Sequence, residues 1–158
     1  MALPPPPDLP KRKPLGHGGT PAAALLGGSP DYFITVCAED RTSAPLLPVA
    51  DAILESVRKR NEKGVWYAKC AVVMPDHVHL IVAVPRDRAL AVCIGAWKRY
   101  LARTHGIRWQ ANFFDHRLRN AAEEAEKREY IRMNPVRKGL AATPADWPWH
   151  EEYAPPAR

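Results

Sequence analysis

Apolar residues recur along the chain at two spacings, one typical of strands and the other of helices. A segment rich in β-forming residues, 32–36, predicts a first strand. A first helix is predicted to about Glu62 because four apolar residues recur at helical spacing: Val49, Ile53, Leu54 and Val57. Gly64 ends this predicted helix. Two strands follow, at 65–74 and 77–84. Because Pro75-Asp76 between them suits a tight turn, they predict a hairpin.

The second half of the chain continues with two helices and one strand. An apolar stripe predicts a second helix that ends at Gly106; its members are Leu90, Ile94, Trp97 and Leu101. Residues 107–114 predict a fourth strand. A third helix is expected from the N-cap Asn120, with Glu123 in the capping-box position, to about Met133. It should end there because Asn134 precedes a proline, and such residues avoid the α region.

The order of these elements predicts an α+β fold. Its first six elements match a ferredoxin-like antiparallel sheet with helices on one face, and the third helix follows as a C-terminal addition. The N-terminal segment differs, since residues 1–30 contain eight prolines and five glycines. We therefore predict a disordered leader at 1–30 and a single domain at 31–158.

The bulk composition limits the compartment and the class of protein. No apolar run approaches the ~20 residues that a membrane span requires, and the N-terminus lacks the pattern of a secretory signal. These features predict a cytoplasmic protein with no membrane partner. Three widely spaced cysteines argue against a disulfide framework and against a cysteine zinc site.

The charge balance bears on the partner. The formal net charge of +6 and the pI of about 9.4 favour a polyanion, although simple solubility explains them equally well. From Lys98 to Arg119 six basic residues stand against one acid, with aromatic residues interleaved. Positive charge follows a phosphate backbone and rings stack on unpaired bases, the usual combination for single strands. The alternative is a core role for the aromatics, which we favour, while we assign a DNA role to several basic residues.

The His77-Val78-His79 segment is the first candidate for chemistry. Alternate residues of a strand point to one face and lie about 6.6 Å apart at Cα, a span that two imidazoles can close around one ion. Two structural histidines would give the same pattern, so the pair alone leaves both interpretations open.

Tyr130 and Asn134 form the second candidate. Four residues apart on the predicted third helix, they share one face. The Asn134 amide oxygen can bind a hard cation or merely cap the helix, and Tyr130 can act as a nucleophile or merely pack on the sheet. Taken with the histidine pair, they suit a Mg²⁺ or Mn²⁺ site at which a tyrosine oxygen attacks phosphorus.

Three segments in this order resemble the REP-associated tyrosine transposases of the HUH single-strand endonuclease superfamily. They are Val73-Met74-Pro75-Asp76-His77-Val78-His79-Leu80-Ile81, the stretch from Trp109-Gln110 through Phe113-Phe114-Asp115-His116 to Arg119, and Tyr130-Ile131-Arg132-Met133-Asn134-Pro135-Val136-Arg137-Lys138-Gly139-Leu140. The likeness covers roughly residues 31–150, and the Trp147-Pro148-Trp149 segment is also similar. The leader has no counterpart in the family.

The resemblance implies a function and a set of site residues. His77, His79 and Asn134 would bind Mg²⁺ or Mn²⁺, and Tyr130 would form a 5′-phosphotyrosine and free a 3′-hydroxyl. The substrate would be single-stranded or hairpin DNA, which implies association with the nucleoid. The DNA contacts are expected at basic residues of this sequence: Lys98, Arg99, Arg103, Arg117, Arg119 and Arg132. The protein would be a monomer or a homodimer, with Tyr130 delivered within one chain or from the other.

Two other function classes compete with this interpretation. One is a domesticated hairpin-binding protein that no longer cuts DNA, although a mere binder does not need His77, His79, Tyr130 and Asn134 together. The other is a replication initiator or conjugative relaxase, which shares the histidine pair. The short chain and the absence of a helicase-like region argue against it.

Overall fold

A computed structural model describes residues 29–154, so residues 1–28 of the predicted leader lie outside the described part of the chain. The main elements, numbered in chain order, are β1 (Asp31–Cys37), α1 (Ala50–Glu62), β2 (Tyr67–Val73), β3 (His77–Ala83), α2 (Leu90–His105), β4 (Phe114–Leu118), α3 (Ala121–Arg137) and β5 (His150–Glu152). No helix within the described residues is long and apolar enough to cross a membrane.

The five strands form one antiparallel sheet in the order β4-β1-β3-β2-β5, which confirms the predicted α+β fold. The β2–β3 hairpin turns at Pro75-Asp76 as expected, and the Met74 N–H closes the turn on the His77 carbonyl at 2.8 Å. The short strand β5 was missing from the prediction; it pairs with the outer edge of β2.

Strand alternation divides the sheet into two faces with separate cores. On one face, side chains such as Ile34, Leu80 and Val82 pack with the residues of α1 and α2. On the other face, Phe33 and Ile81 pack with Ile131 of α3 and with Trp147. Helix α3 therefore covers the face that α1 and α2 leave open.

A bulge in β2 keeps both faces apolar. Ala68 pairs with Val82 and Cys70 with the next residue, Ile81, so Lys69 is the extra residue. Past the bulge the alternation shifts by one position. The Lys69 ammonium projects to Asp31 Oδ2 of β1 at 2.7 Å and to the Glu124 carboxylate of α3 at 3.1 Å, so it ties two strands to the third helix.

The position predicted for the fourth strand was wrong. Within 107–114 only Trp109 forms a bridge, to Ala38, and β4 begins at Phe114. Ile107 and Phe113 are buried from a loop, so their apolar character imitated a strand.

The predicted end of the third helix was also wrong. The helix continues through Pro135 to Arg137, with Gly139 in the left-handed conformation just beyond. Pro135 removes one N–H from the helix two residues before its end, and Asn134 and Pro135 are both buried. The predicted N-cap is confirmed, since the Asn120 side chain accepts from the Glu123 N–H at 2.9 Å.

Replacing Trp97 by alanine should lower the free energy of unfolding by about 3–5 kcal/mol, because the side chain is large and fully buried. Its indole N–H also donates to Ser56 Oγ at 2.8 Å. On the same helix Val92 is 64% exposed, and Val92→Ala should stay within about 0.5 kcal/mol of the parent. Urea unfolding followed by circular dichroism measures both, and equal losses would contradict this description of the core.

Candidate active site

His77 and His79 lie at the start of β3, on the face that α3 covers. Both imidazoles point to this face because they are two residues apart on a strand. Their Nε2 atoms approach to 3.1 Å, with ring centroids 4.6 Å apart. Both residues are buried, at 7% and 3% exposure, so the two imidazoles lie in the interior of the protein beneath α3.

Each imidazole is held at its other nitrogen, Nδ1. His77 Nδ1 lies 2.7 Å from Asp76 Oδ1, and the second oxygen of Asp76 accepts from Arg41 Nε at 2.7 Å. His79 Nδ1 lies 2.8 Å from the hydroxyl of Thr35, its cross-strand neighbour on β1. Anchoring both Nδ1 atoms leaves both Nε2 atoms facing one point.

The electrostatics favour neutral imidazole at His79. Burial, and next the neighbouring His77, hold the pKa of His79 well below its ordinary value. Burial alone would raise the pKa of Asp76, but the hydrogen bonds from His77 and Arg41 hold it below its usual range, so Asp76 is a carboxylate that can accept a hydrogen bond from His77 Nδ1–H. Two neutral imidazoles protonated at Nδ1 would direct two lone pairs at each other, an arrangement suited to a shared cation.

Tyr130 lies beside the histidine pair within the same chain. Its ring makes edge contacts with His79 and Phe33, at centroid distances of 5.5 Å and 5.8 Å. The Arg137 guanidinium lies over the ring at 4.2 Å from the centroid and also donates to the Tyr130 carbonyl. Helix α3 thus places Tyr130 next to His79 of the same chain.

Asn134 is one helical turn beyond Tyr130 and only 1% exposed. Its side-chain oxygen is buried and has no hydrogen-bond partner among the described residues. A buried amide oxygen without a partner is costly, and such groups often mark the position of a bound ion or water. The Asn134 oxygen is therefore an available ligand on the helix that covers the histidines.

These residues fit a divalent cation. Two nitrogens at about 2.1 Å from one ion, in neighbouring octahedral positions, lie about 3.0 Å apart, close to the separation of the two Nε2 atoms. Within residues 29–154, no three or more histidine, cysteine, aspartate or glutamate side chains are grouped to hold a metal. A site here would thus depend on the Asn134 oxygen and on oxygens from a substrate.

The six basic residues predicted to contact DNA are divided between the two faces of the sheet. Lys98, Arg99 and Arg103 belong to α2, on the face away from the histidines, and Arg117 pairs with Tyr32 on β1, whose alternation directs it to that face too. Arg132 lies on α3, where it is paired with Glu129 at 2.8 Å. Arg119 is exposed between β4 and α3.

Lys98 is buried and engaged with its own fold. Its ammonium donates to the Gln110 carbonyl at 2.7 Å and lies 3.4 Å and 3.5 Å from those of Ala111 and Asn112. Burial lowers the pKa of Lys98. These contacts hold the loop for which the sequence pattern predicted a strand.

Several residues around the candidate site were not singled out from the sequence. Thr35 and Arg41 support the histidines, and Lys127 and Arg137 lie over the rings of Phe33 and Tyr130. The alternation of β1 could have identified Thr35 from the sequence, because Thr35 is two residues from Phe33 and so faces the same side of the sheet. Arg41 follows β1 in a loop, so no periodicity in the sequence predicts its contact with Asp76.

Comparisons with known proteins bear on the identity of this site. No protein-family model matches the chain. A putative REP-associated tyrosine transposase of Haemophilus influenzae is 27% identical over 136 residues, covering 75% of this chain and 77% of that protein. The REP-associated tyrosine transposase of Escherichia coli K12 is 27% identical over 128 residues, covering 79% of this chain and 76% of that protein.

A solved structure is similar as well. It is a REP-associated tyrosine transposase bound to a REP hairpin, with a TM-score of 0.70 and 25% sequence identity, covering 77% of this chain and 76% of that one. The resemblance noted from the three sequence segments is confirmed by these comparisons.

Replacing Lys98 by methionine should destabilise the fold by about 1–3 kcal/mol, because the stem is kept while three carbonyls lose their ammonium. The neighbouring exposed Arg99 provides the control, and Arg99→Met should change stability by less than about 0.5 kcal/mol. Thermal unfolding at equal ionic strength compares the two. A fully stable Lys98→Met variant would restore Lys98 as a candidate for DNA contact.

Proposed function

The chain is related to the REP-associated tyrosine transposases, and on that basis we propose that it cleaves and rejoins single-stranded, hairpin-forming DNA through a covalent phosphotyrosine. The observation that carries this proposal is the contact of Tyr130 with His79, whose Nε2 faces that of His77. One relative was solved with a REP hairpin, which supports a hairpin as the substrate of this chain.

His77, His79 and Asn134 would hold a divalent cation, Mg²⁺ or Mn²⁺. Bound there, the ion would polarise a phosphoryl oxygen and stabilise the charge that develops during the reaction. The chain supplies the orientation: Asp76 and Thr35 fix the two imidazoles through Nδ1, which keeps Nε2 free at each ring. The burial that keeps His79 neutral also keeps it able to bind a cation.

Tyr130 would act as the nucleophile. Its oxygen attacks phosphorus while the bond from phosphorus to the 3′-oxygen breaks. The tyrosine loses its phenolic proton, the leaving 3′-oxygen gains one, and the phosphate at the 5′ end stays on the tyrosine. A 3′-hydroxyl can later attack the phosphotyrosine and reverse these changes, so the strand is rejoined without ATP.

The positive residues near Tyr130 would guide the phosphate. Arg137 contacts the tyrosine ring, and Lys127 lies 5.6 Å from its centroid. Lys138 follows at the end of the same helix, close enough to influence His79 electrostatically. Arg119 and Arg132 extend the positive charge on this side, whereas Arg99, Arg103 and Arg117 would contact DNA that reaches the opposite face.

Replacing Tyr130 by phenylalanine should abolish the covalent adduct and leave affinity for hairpin DNA nearly unchanged, because only the attacking oxygen is removed. The measurement is a denaturing gel of protein incubated with end-labelled hairpin DNA and Mn²⁺ or Mg²⁺. The control is Tyr153→Phe, because Tyr153 packs against the core formed with α1 and α2, on the other face of the sheet from Tyr130, and its hydroxyl lies 3.5 Å from the Leu54 carbonyl.

Cleavage by the Tyr130→Phe protein would remove Tyr130 from the nucleophile role. Hairpin binding by the parent protein with no adduct under any divalent ion would instead favour a DNA-binding protein that no longer cuts.

Thr35→Val should weaken Mn²⁺ binding by roughly 10–100-fold, because the isosteric side chain no longer anchors His79 Nδ1. Thr35→Ser restores the hydroxyl and should recover most of the affinity. Calorimetric titration of Mn²⁺ in the absence of DNA measures the ion alone, and His79→Ala marks complete loss of the ligand. Equal affinities of Thr35→Val and the parent would show that the hydroxyl does not support the metal site.

A further inference from the structure

A cavity of about 640 Å³ lies at the end of the sheet opposite to the histidines. It is bounded by the C-terminal end of α1, the start of β2, the end of β3 and the segment after β5. Its lining includes three aromatic residues and a proline: the rings of Tyr67 and Tyr153 are partly exposed, whereas Trp66 and Pro85 are buried. We call this cavity the aromatic groove.

The aromatic groove is separate from the candidate active site. His77 is the first residue of β3 and Ala83, which lines the groove, is the last. Six strand steps span about 20 Å. A ligand in the groove therefore does not touch Tyr130 or the histidines, and its binding does not depend on the proposed transposase activity.

The chain enters the sheet next to the groove. Asp31, the first residue of β1, pairs directly with Ala83. The segment upstream contains a proline run at Pro4–Pro7, then Pro10, followed by Lys11-Arg12-Lys13. This order holds two overlapping Pro-x-x-Pro spacings with a basic cluster immediately after them.

We propose that residues 4–13 of the same chain dock in the aromatic groove. Proline-rich segments favour the polyproline II conformation, lose little entropy on binding and pack against aromatic-lined grooves. The charges are complementary, since the lining carries Glu62, Glu151 and Glu152 against one arginine, Arg58. Arg58 pairs with Glu151 at 3.3 Å and Arg128 lies 3.8 Å from Glu152, so Glu62 is the carboxylate without an ion pair among the described residues. Lys11, Arg12 and Lys13 would meet these carboxylates.

The connection is long enough for docking within one molecule. Residues 11–30, 20 in all, separate Pro10 from Asp31. A chain of that length spans roughly 25 Å on average if unstructured, comparable with the width of the sheet. Residues 155–158 follow Ala154, which lines the groove, so they are a competing occupant that the experiment must distinguish.

Limited trypsin digestion of the full chain measures docking, because cleavage after Lys11 and Arg12 requires the segment to leave the groove. The comparison is a variant with Pro4, Pro5, Pro6, Pro7 and Pro10 all replaced by serine, which keeps both cleavage sites. Cleavage of the parent should be roughly tenfold slower, as expected when a tether supplies an effective concentration of about 1 mM to a segment of ~0.1 mM affinity.

Glu62→Lys should speed cleavage of the parent leader and have no effect on the serine-substituted leader. Glu62 is exposed on the rim, so the substitution leaves the core intact. The matched control is Glu126→Lys, the same charge change at an exposed position of α3. If both variants changed the cleavage rate equally, the change would be explained by net charge alone, and the proposal would be overturned.

Amide spectra of protein labelled at glycine with ¹⁵N give an independent reading. Gly64 lines the groove, while Gly106 and Gly139 lie at the ends of α2 and α3. Serine substitution in the leader should move the Gly64 signal and leave the other two in place.

Three outcomes would overturn docking within one molecule. The first is equal cleavage of parent and serine variant with an unmoved Gly64 signal. The second is protection that disappears on dilution, which would assign the occupant to a second copy. The third is a Gly64 shift on deletion of residues 155–158 that leader substitution does not reproduce, which would assign the groove to the C-terminal residues.

Discussion

The candidate site depends above all on the register between β1 and β3. Thr35 opposite His79 and Cys37 opposite His77 put the support for one histidine on a neighbouring strand. A slip of one residue would turn Phe33 and Thr35 to the α1–α2 face and bring Ile34 and Val36 under α3. Because Ile34 and Val36 are fully buried in the larger core, the hydrophobic pattern of β1 enforces the register that the histidines need.

The third helix converts this register into a site. It has few buried apolar residues, so charged contacts supplement its packing: Lys69 reaches Glu124 from the bulge of β2, and Arg128 pairs with Glu124 on the helix itself. The bulge therefore contributes an ion pair to the docking of α3 and also keeps both sheet faces apolar. Because α3 continues through Pro135, Asn134 is a buried residue of the helix. A helix that ended at Met133 would have left Asn134 in a loop.

The sequence was sufficient to predict the fold class, and insufficient where contacts depend on loops. Strand alternation predicts the shared direction of His77 and His79, and helical spacing predicts that of Tyr130 and Asn134. The buried loop at 107–113 imitates a strand because Lys98 satisfies its carbonyls, a contact that no local pattern contains. The basic residues form one nearly continuous segment of the sequence, but α2 and α3 lie on opposite faces, so proximity in sequence did not predict a common surface.

The buried polar groups around the histidines differ in how fully they are hydrogen-bonded. Most buried polar side chains here have partners, as Thr35, Ser56 and Asp76 do. Asn134 keeps a buried oxygen without a partner among the described residues, and an apolar residue would avoid that cost. The two imidazoles have their Nδ1 atoms anchored and their Nε2 atoms 3.1 Å apart, a contact that is a hydrogen bond if one Nε2 carries the proton and a repulsion between lone pairs if neither does. The proposed cation would give the Asn134 oxygen a partner and would bind to both Nε2 atoms, so one ligand would account for the two features together.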